Sequence, residues 1–416
     1  MSESNRDFYP GKITLDEVHY KKKGTSTDLI QLVAEINVYS SIIDPVVTSE
    51  VVIIDSKNVL SNLPIESGDN IVMRVSYFDR QVDFTMFIIG IDEINIDEKQ
   101  RMYTLKCTSE LGFVSLYKHI SQHFNGTVSD IAAQVITDST SEKTGLWEPS
   151  IGIQNIISPQ WNPLKLLTWL ARRATSTVDT TRFYFWQDSK MVYNFAPIER
   201  VREIYRNLPV PKFTYGLNNQ LIGPLGSQKP NSEAVMNTII EIDFENSFDL
   251  SAQIKKGSLG GVMFVTDIST KTMKIITDNY WDSFRGEKSL NGYPSWQRMD
   301  DVAKGKQLFP IIASNISRGI TLNEVFDRSS IRGTSVDKSQ VINIVVHGNQ
   351  TLDVGQVIEI DIPSPEPRTD SMRDKIDRRW SGKYFVVAKR DMYNVDGVKT
   401  ALTLAKESLL DKEVAI

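Results

Sequence analysis

The chain is poor in the residues from which most catalytic and metal sites are built. Among 416 residues there is one cysteine, Cys107, and there are four histidines, His19, His119, His123 and His347. A lone cysteine excludes an intramolecular disulfide framework and cannot by itself form a thiolate metal site. Within the strand-like run YTLKC it reads as a small packed residue. Only His119 and His123 stand four apart, the spacing of two zinc ligands on one helix face. The protease form of that motif needs a glutamate after the first histidine, where this chain has Ile120, and no third ligand is evident. No G-x-S-x-G elbow occurs. Gly257, Gly260 and Gly261 lack the Lys-Ser/Thr that follows in a phosphate loop, so they read as a hairpin turn. Long apolar runs are missing as well: no segment approaches the ~18 residues of a membrane span, and the opening MSESNRDFYPGK lacks the apolar stretch of a signal peptide. We therefore expect a chain made and kept in a cytoplasm-like compartment, where the sequons at Asn125 to Thr127 and Asn315 to Ser317 carry no chemical meaning. A strong excess of either charge is lacking too. With 47 Lys and Arg against 52 Asp and Glu, the net charge is -5, and Lys21 to Lys23 is the one basic block. A phosphate-tracking surface is not expected from that balance.

What the chain does have is a repeat. IESGDNIVMRV (Ile65 to Val75) is followed by FTMFIIGIDEINIDEKQRMYTLKCTSE (Phe84 to Glu110); far downstream, LDVGQVIEIDI (Leu352 to Ile362) is followed by GKYFVVAKRDMYNVDGVKTALTLAKES (Gly382 to Ser408). Each copy has a glycine turn (Gly68, Gly355), an alternating apolar strand, a second strand around Phe87 or Phe385, a polar turn with Asp97 or Asp396, and a closing strand. A unit written twice implies a duplicated β module, and modules of this pattern make small barrels or sandwiches. At 416 residues the chain also exceeds the roughly 250 to 300 at which a single core stops growing.

Between the copies the periodicity changes. Phe113, Leu116, Tyr117, Ile120 and Phe124 fall at helical spacing, with a stop at Gly126 and a second helix from Ser129. Trp161 to Ala174 carries the apolar stripe Leu166, Leu167, Leu170 and Ala174, with Pro163 suited to a first turn. FYFWQDSKMVYNFAP (Phe183 to Pro197) reads as a hairpin turning at Gln187 to Lys190. Its aromatic strand Phe183 to Trp186 is open to two readings, core packing or an anchor at a subunit interface. Pro209, Pro211, Pro224 and Pro230 with Gly216, Gly223 and Gly226 mark a loop-rich exit. Strands return at Val235 to Phe248, another hairpin is expected within Ile254 to Asp267, and Ser269 to about Asp327 (with Trp281 and Trp296) reads as an inserted excursion before VINIVVHG (Val341 to Gly348). The expected fold class is α+β, mainly β: a first β domain over 8–110, a helix-containing α+β domain over 111–210, a second β domain over 211–268 and 328–410, and an inserted segment over 269–327 packing with the middle domain.

The order of these parts carries a resemblance. A β module with the stretch DSKN (Asp55 to Asn58), a helical passage around Trp169, the FYFWQD hairpin (Phe183 to Asp188) and a second β module together resemble the baseplate hub proteins of contractile-tailed, T-even-like phages, over about Asp7 to Leu410. That resemblance implies two tail-tube-like β-barrel domains per chain and a homotrimeric ring at the virion tail baseplate, assembled in the host cytoplasm. The ring would adapt a sixfold tail tube to a threefold cell-puncturing spike. Implied partners are the tail tube protein, the central spike protein and the baseplate wedge components, with no membrane, and with DNA passing the lumen without specific binding. No cofactor, metal or catalytic residue is implied, and the interface residues stay unknown. Two other classes compete. One is the hub portion of a related injection or secretion apparatus, which often fuses a spike to its C-terminus, whereas this chain ends shortly after the second copy. The other is a cell-wall hydrolase: Asp and Glu are plentiful, and whether two form a catalytic pair is a matter of three-dimensional separation. In the resembling family that activity belongs to the spike, so this chain is expected not to be an enzyme.

Overall fold

The computed structural model describes residues 13–22, 24–55, 65–77, 80–97, 100–174, 176, 183–206, 208–215, 237–247, 260–267, 271–279, 289–291, 293–294, 311–316, 340–349, 351–364, 376–394 and 397–410. The first β unit contains β1 (Ile13–Lys22), β2 (Thr25–Asp28), β3 (Val33–Ser41), β4 (Thr48–Asp55), β5 (Asn70–Tyr77), β6 (Arg80–Asp97) and β7 (Gln100–Thr108). Next come α1 (Glu110–Tyr117), β8 (His123–Thr127), α2 (Val128–Thr137), β9 (Thr144–Trp147), β10 (Ile153–Ile157), α3 (Pro163–Ala171), β11 (Phe183–Gln187), β12 (Tyr193–Pro197) and α4 (Ile198–Arg206). The chain then runs through β13 (Lys212–Tyr215), β14 (Thr238–Ser247), β15 (Gly260–Asp267), β16 (Thr272–Asn279), β17 (Tyr293–Pro294), β18 (Ile311–Ile316), β19 (Gln340–His347), β20 (Val357–Asp361), β21 (Gly382–Asn394), β22 (Gly397–Lys406) and β23 (Ser408–Leu409). The protein is mainly β. Three cores organise it: one inside the first unit around Ile71, Met73, Phe84 and Leu105; one in the helical middle around Leu111, Ile131, Leu167 and Phe195; and one inside the second unit around Phe213, Ile358, Tyr384 and Leu404.

The repeat read from the sequence is a repeat in space. Gly68 and Gly355 both lie at positive φ, +98° and +85°, a region an L side chain enters at a cost. Around each glycine the same three backbone hydrogen bonds form. In the first unit Gly68 N–H donates to Ile88 O (2.8 Å), Ile88 N–H to Asp69 O (2.9 Å) and Asp69 N–H to Glu66 O (3.2 Å). In the second, Gly355 N–H donates to Val386 O (3.0 Å), Val386 N–H to Gln356 O (2.8 Å) and Gln356 N–H to Asp353 O (3.3 Å). The strand registers match as well: Asn70 faces Phe87 as Val357 faces Phe385, and Ile88 faces Cys107 as Val386 faces Leu404. Each long strand then bulges by one residue, at Ile89 and at Val387. A bulge bends its strand and sharpens the twist, which lets one strand serve two neighbours along its length.

The likeness reaches further back than the glycine turns. β3 and β14 share a bulge at Ala34 and Ile240, and the sequence VAEINV (Val33 to Val38) lies in the place of IIEIDF (Ile239 to Phe244). In the second unit β13, β20, β21, β22, β19 and β14 close into a six-stranded barrel, with β13 parallel to both its neighbours. In the first unit β1, β5, β6, β7, β4 and β3 wrap the corresponding core, β1 lying antiparallel to β5. Cys107 is buried on β7, where burial pushes its thiol up to about 12, in keeping with a packed and unreactive residue.

Three local expectations need correction. The apolar spacing from Phe113 to Phe124 is not one helix: α1 ends at Tyr117, Ile120 forms a bridge with Trp161, and Phe124 and Gly126 lie in β8 paired with β10. His119 and His123 consequently sit on a connection and a strand, not on one helix face. The glycine cluster is not a hairpin turn at Gly260 and Gly261: these two begin β15, which pairs with β16 and β18 in a separate three-stranded sheet, and Gly257 lies outside the described residues. The turn of the aromatic hairpin falls at Asp188 to Val192, with Met191 at φ 61°, so that Gln187 still belongs to the strand. α3 starts where expected, because Asn162 Oδ1 accepts from Lys165 N–H (2.8 Å) with Pro163 at its first position. Ser56 to Asn58, Trp281, Trp296 and the loop from Gly216 to Pro230 fall outside the described residues.

Candidate functional site: the seam between the two β units

The two β units are joined edge to edge. Past its bulge, β21 leaves β20 and pairs antiparallel with β3, Ala388 facing Ser41, Asp391 facing Val38 and Asn394 facing Glu35. Ile42 N–H extends the seam by donating to the bulge residue's carbonyl, Val387 O (3.0 Å). One face of this seam turns inward. Ile36, Val38, Lys389, Asp391 and Tyr393 are all at most 3% exposed, and Tyr393 belongs to the first unit's core although its strand belongs to the second. A charged pair therefore lies inside: Lys389 Nζ is 2.8 Å from Asp391 Oδ2, and Asp391 Oδ1 accepts from Thr400 Oγ1 (2.8 Å). Burial pushes the Asp391 carboxyl up, and the Lys389 ammonium opposes that rise. On the other face, Arg390 Nε donates to Asn37 Oδ1 (3.0 Å) and its guanidinium lies 5.5 Å from the Tyr39 ring centre. A cleft of about 680 Å³ opens beside the seam, with Tyr39, Asp44, Val46, Leu164, Asn343 and Arg390 among its walls.

The aromatic hairpin β11–β12 reaches both units, and its side chains answer the question the sequence left open. Phe183, Phe185 and Trp186 are buried, so the strand is core. Its turn and the strand residue before it touch both units. Val47 N–H, entering β4, donates to Gln187 Oε1 (3.0 Å); Ser189 N–H donates to Asp353 Oδ1 (2.9 Å) before the second glycine turn; and Met191 packs on the first unit's core. Trp186 lies over Gly355, and Phe113 of α1 lies over Gly68 while stacking on Phe87 at 4.8 Å. Each glycine turn is thus covered by an aromatic ring from the middle of the chain.

Gln187 also donates through Nε2 to Glu142 Oε2 (2.9 Å). Burial, with the Glu110 carboxylate adding repulsion, pushes the Glu142 carboxyl from 4.5 up to about 7. The unfolded chain releases this proton near 4.5 and the folded chain holds it to about 7. Its contribution is therefore fully present below pH 4.5 and is lost as pH rises through 7. Glu142→Gln is expected to abolish that part of the decline and to gain stability over the parent above pH 7, as read by urea unfolding across the window. Parallel curves for the two proteins would refute this.

Among the described residues no three His, Cys, Asp or Glu side chains come together in a way that could hold a metal ion. No helix of the described residues is long and apolar enough to cross a membrane.

Solved tail proteins have this fold. The chain is similar to the crystal structure of a tail protein from Neisseria meningitidis MC58, with a TM-score of 0.55 and 14% identity over 94% of this chain and 96% of that one. It is equally similar to the 43 kDa tail protein of prophage MuSo2 from Shewanella oneidensis, with a TM-score of 0.55 and 12% identity over 94% of this chain and 98% of that one. No protein-family model matches the chain, and no curated protein matches it. Nothing at the single-residue level in the sequence announced the seam. Lys389 and Asp391 share their strand with Lys383, Arg390 and Asn394, so nothing in the letters marks those two charges as buried.

Proposed function

We propose that the protein is a structural virion protein, the central hub of a contractile-tail baseplate, in which three copies form a ring that adapts a sixfold tail tube to a threefold puncturing spike. The observation that carries this reading is the repeated unit, matched in turn, register and bulge and laid edge to edge by the β3–β21 seam. Three chains with two such units each would offer six quasi-equivalent surfaces to a tube while keeping a threefold axis for a spike. The tail-protein fold supports placing it in the virion tail, assembled in the host cytoplasm, with the tail tube protein, the spike protein and the wedge components as partners and no enzymatic role. Its four parts would be a tube-like unit over 8–110, a middle domain over 111–210, a second tube-like unit over 211–268 and 328–410, and an insertion over 269–327. The pairing of β15 with β16 and β18 argues for starting that insertion before Gly260. Light scattering on the purified chain is expected to give three times 47.1 kDa, and imaging a ring of pseudo-sixfold outline. A ring of six chains would refute the proposal.

A further inference from the structure

The seam can be used as a template, because each of its two strands has a counterpart elsewhere in the chain. β6 corresponds to β21: beyond the bulge at Ile89, residues Gly90 to Asp97 pair with β7 on one edge, and among the described residues no strand lies on the other. β14 corresponds to β3: from Glu241 to Ser247 it pairs with β19 on one edge, and again no described strand lies on the other, since β13 meets it only at Thr238 and Ile239. A long unpaired edge presents a row of backbone donors and acceptors ready for another strand. Burial tells the same story position by position. Val387, Lys389 and Val38, which make the seam, are 6%, 2% and 3% exposed; their counterparts Ile89, Ile91 and Phe244 are 40%, 38% and 44% exposed. The apolar side chains are present at both places; at the second, Phe244 leans on the Trp380 ring at 4.3 Å and still keeps 44% of its surface open.

We propose that β6, from Gly90 to Asp97, pairs antiparallel with β14, from Glu241 to Ser247, of a second copy of this chain, repeating the internal seam between subunits. This partner assignment rests on the hub reading and specifies how its ring closes. Carrying the internal register across places Glu93 opposite Phe244, Ile94 opposite Asp243 and Asn95 opposite Ile242. Because the two edges differ, the contact is head-to-tail, so every subunit gives one edge and receives the other, and such a contact generates a closed ring when its rotation closes. Ile91 stands in the place of Lys389 and Glu93 in that of Asp391, so the subunit seam carries one charge where the internal seam carries a pair.

Cysteine pairs read the register directly, since a disulfide needs its two Cα atoms within about 7 Å. Ile94→Cys with Asp243→Cys, oxidised in the full-length protein, is expected to convert the chain to a covalent trimer on a non-reducing gel. Asn95→Cys with Asp243→Cys, one residue out of the proposed register, is expected to give none. Asn37→Cys with Met392→Cys, the equivalent internal pair, should close within each chain and leave the mass unchanged, which establishes that the oxidation works at this register. A native trimer without the Ile94–Asp243 cross-link would overturn the proposed seam and leave the hub reading standing. Cross-linking of both pairs alike would overturn the register. A chain monomeric by light scattering and free of cross-links would overturn both readings, and a covalent ladder reaching six would keep the edge pairing while removing the three-chain ring.

Discussion

Asp391→Ala is expected to destabilise the protein by about 3–5 kcal/mol, the usual consequence of removing one partner of a buried ion pair and leaving the other charge in the core. The Lys389 and Asp391 side chains are 0% and 2% exposed, and the stem of Lys389 is held by strands on either side of the seam, so the ammonium cannot reach water without opening it. Two outcomes follow, in urea unfolding and in hydrogen exchange. Global stability should drop, and the amides of β3 should lose protection more than those of β5, because the charge sits where β3 meets β21. Replacing both partners, Lys389→Met with Asp391→Leu, should recover the loss, since a buried ion pair exchanged for packed apolar groups is often neutral or better. If Asp391→Ala costs less than about 1 kcal/mol, the pair is as weak as a solvated surface bridge and the seam is open in solution.

That seam marks the boundary of what the sequence disclosed. The glycine turns were legible because a positive-φ position followed by an alternating strand leaves a local mark, and Gly68 with Gly355 pointed to the same backbone hydrogen bonds in both units. The earlier half of the repeat is present in the letters, VAEINV against IIEIDF, but out of step with the glycine turns. Its two copies stand 206 positions apart, whereas the glycine turns stand 287 apart, because the insertion separates β14 from β19 in the second unit but nothing comparable separates β3 from β4. A search at one fixed offset passes over it. The seam itself has no local signature. Strands whose partners lie some 350 residues away in the chain alternate like any others, and register belongs to the pairing, not to either strand alone. The mistaken histidine helix has a related origin: Phe113, Ile120 and Phe124 have helical spacing, but Ile120 and Phe124 are buried by a bridge to Trp161 and a pairing with β10, and tertiary pairing overrode the local period.

Trp186→Ala should be the most damaging change outside the seam, with a loss of about 3–5 kcal/mol for deleting a buried aromatic ring. The ring is 3% exposed, belongs to the core of the second β unit although its strand belongs to the middle hairpin, and roofs the Gly355 turn. Phe113→Ala, at the matching place over Gly68, should cost less, since that side chain is only partly buried. The two effects separate cleanly from backbone strain. A Cβ at Gly355 would lie 3.4 Å from Trp186 Cζ2, an ordinary contact, whereas its φ of +85° costs a substituted residue about 1–2 kcal/mol wherever the ring is. Gly355→Ala should therefore cost about the same in the parent and in Trp186→Ala, and the double-mutant coupling should stay within about 0.5 kcal/mol. A coupling well above that would mean the ring, and not the backbone, is what forbids a side chain there. Hydrogen exchange at the Val386 amide, which donates into this turn, distinguishes the local consequence from the global one: Trp186→Ala should expose it ahead of the barrel strands β19 and β22, because the turn loses its cover while their pairing is untouched.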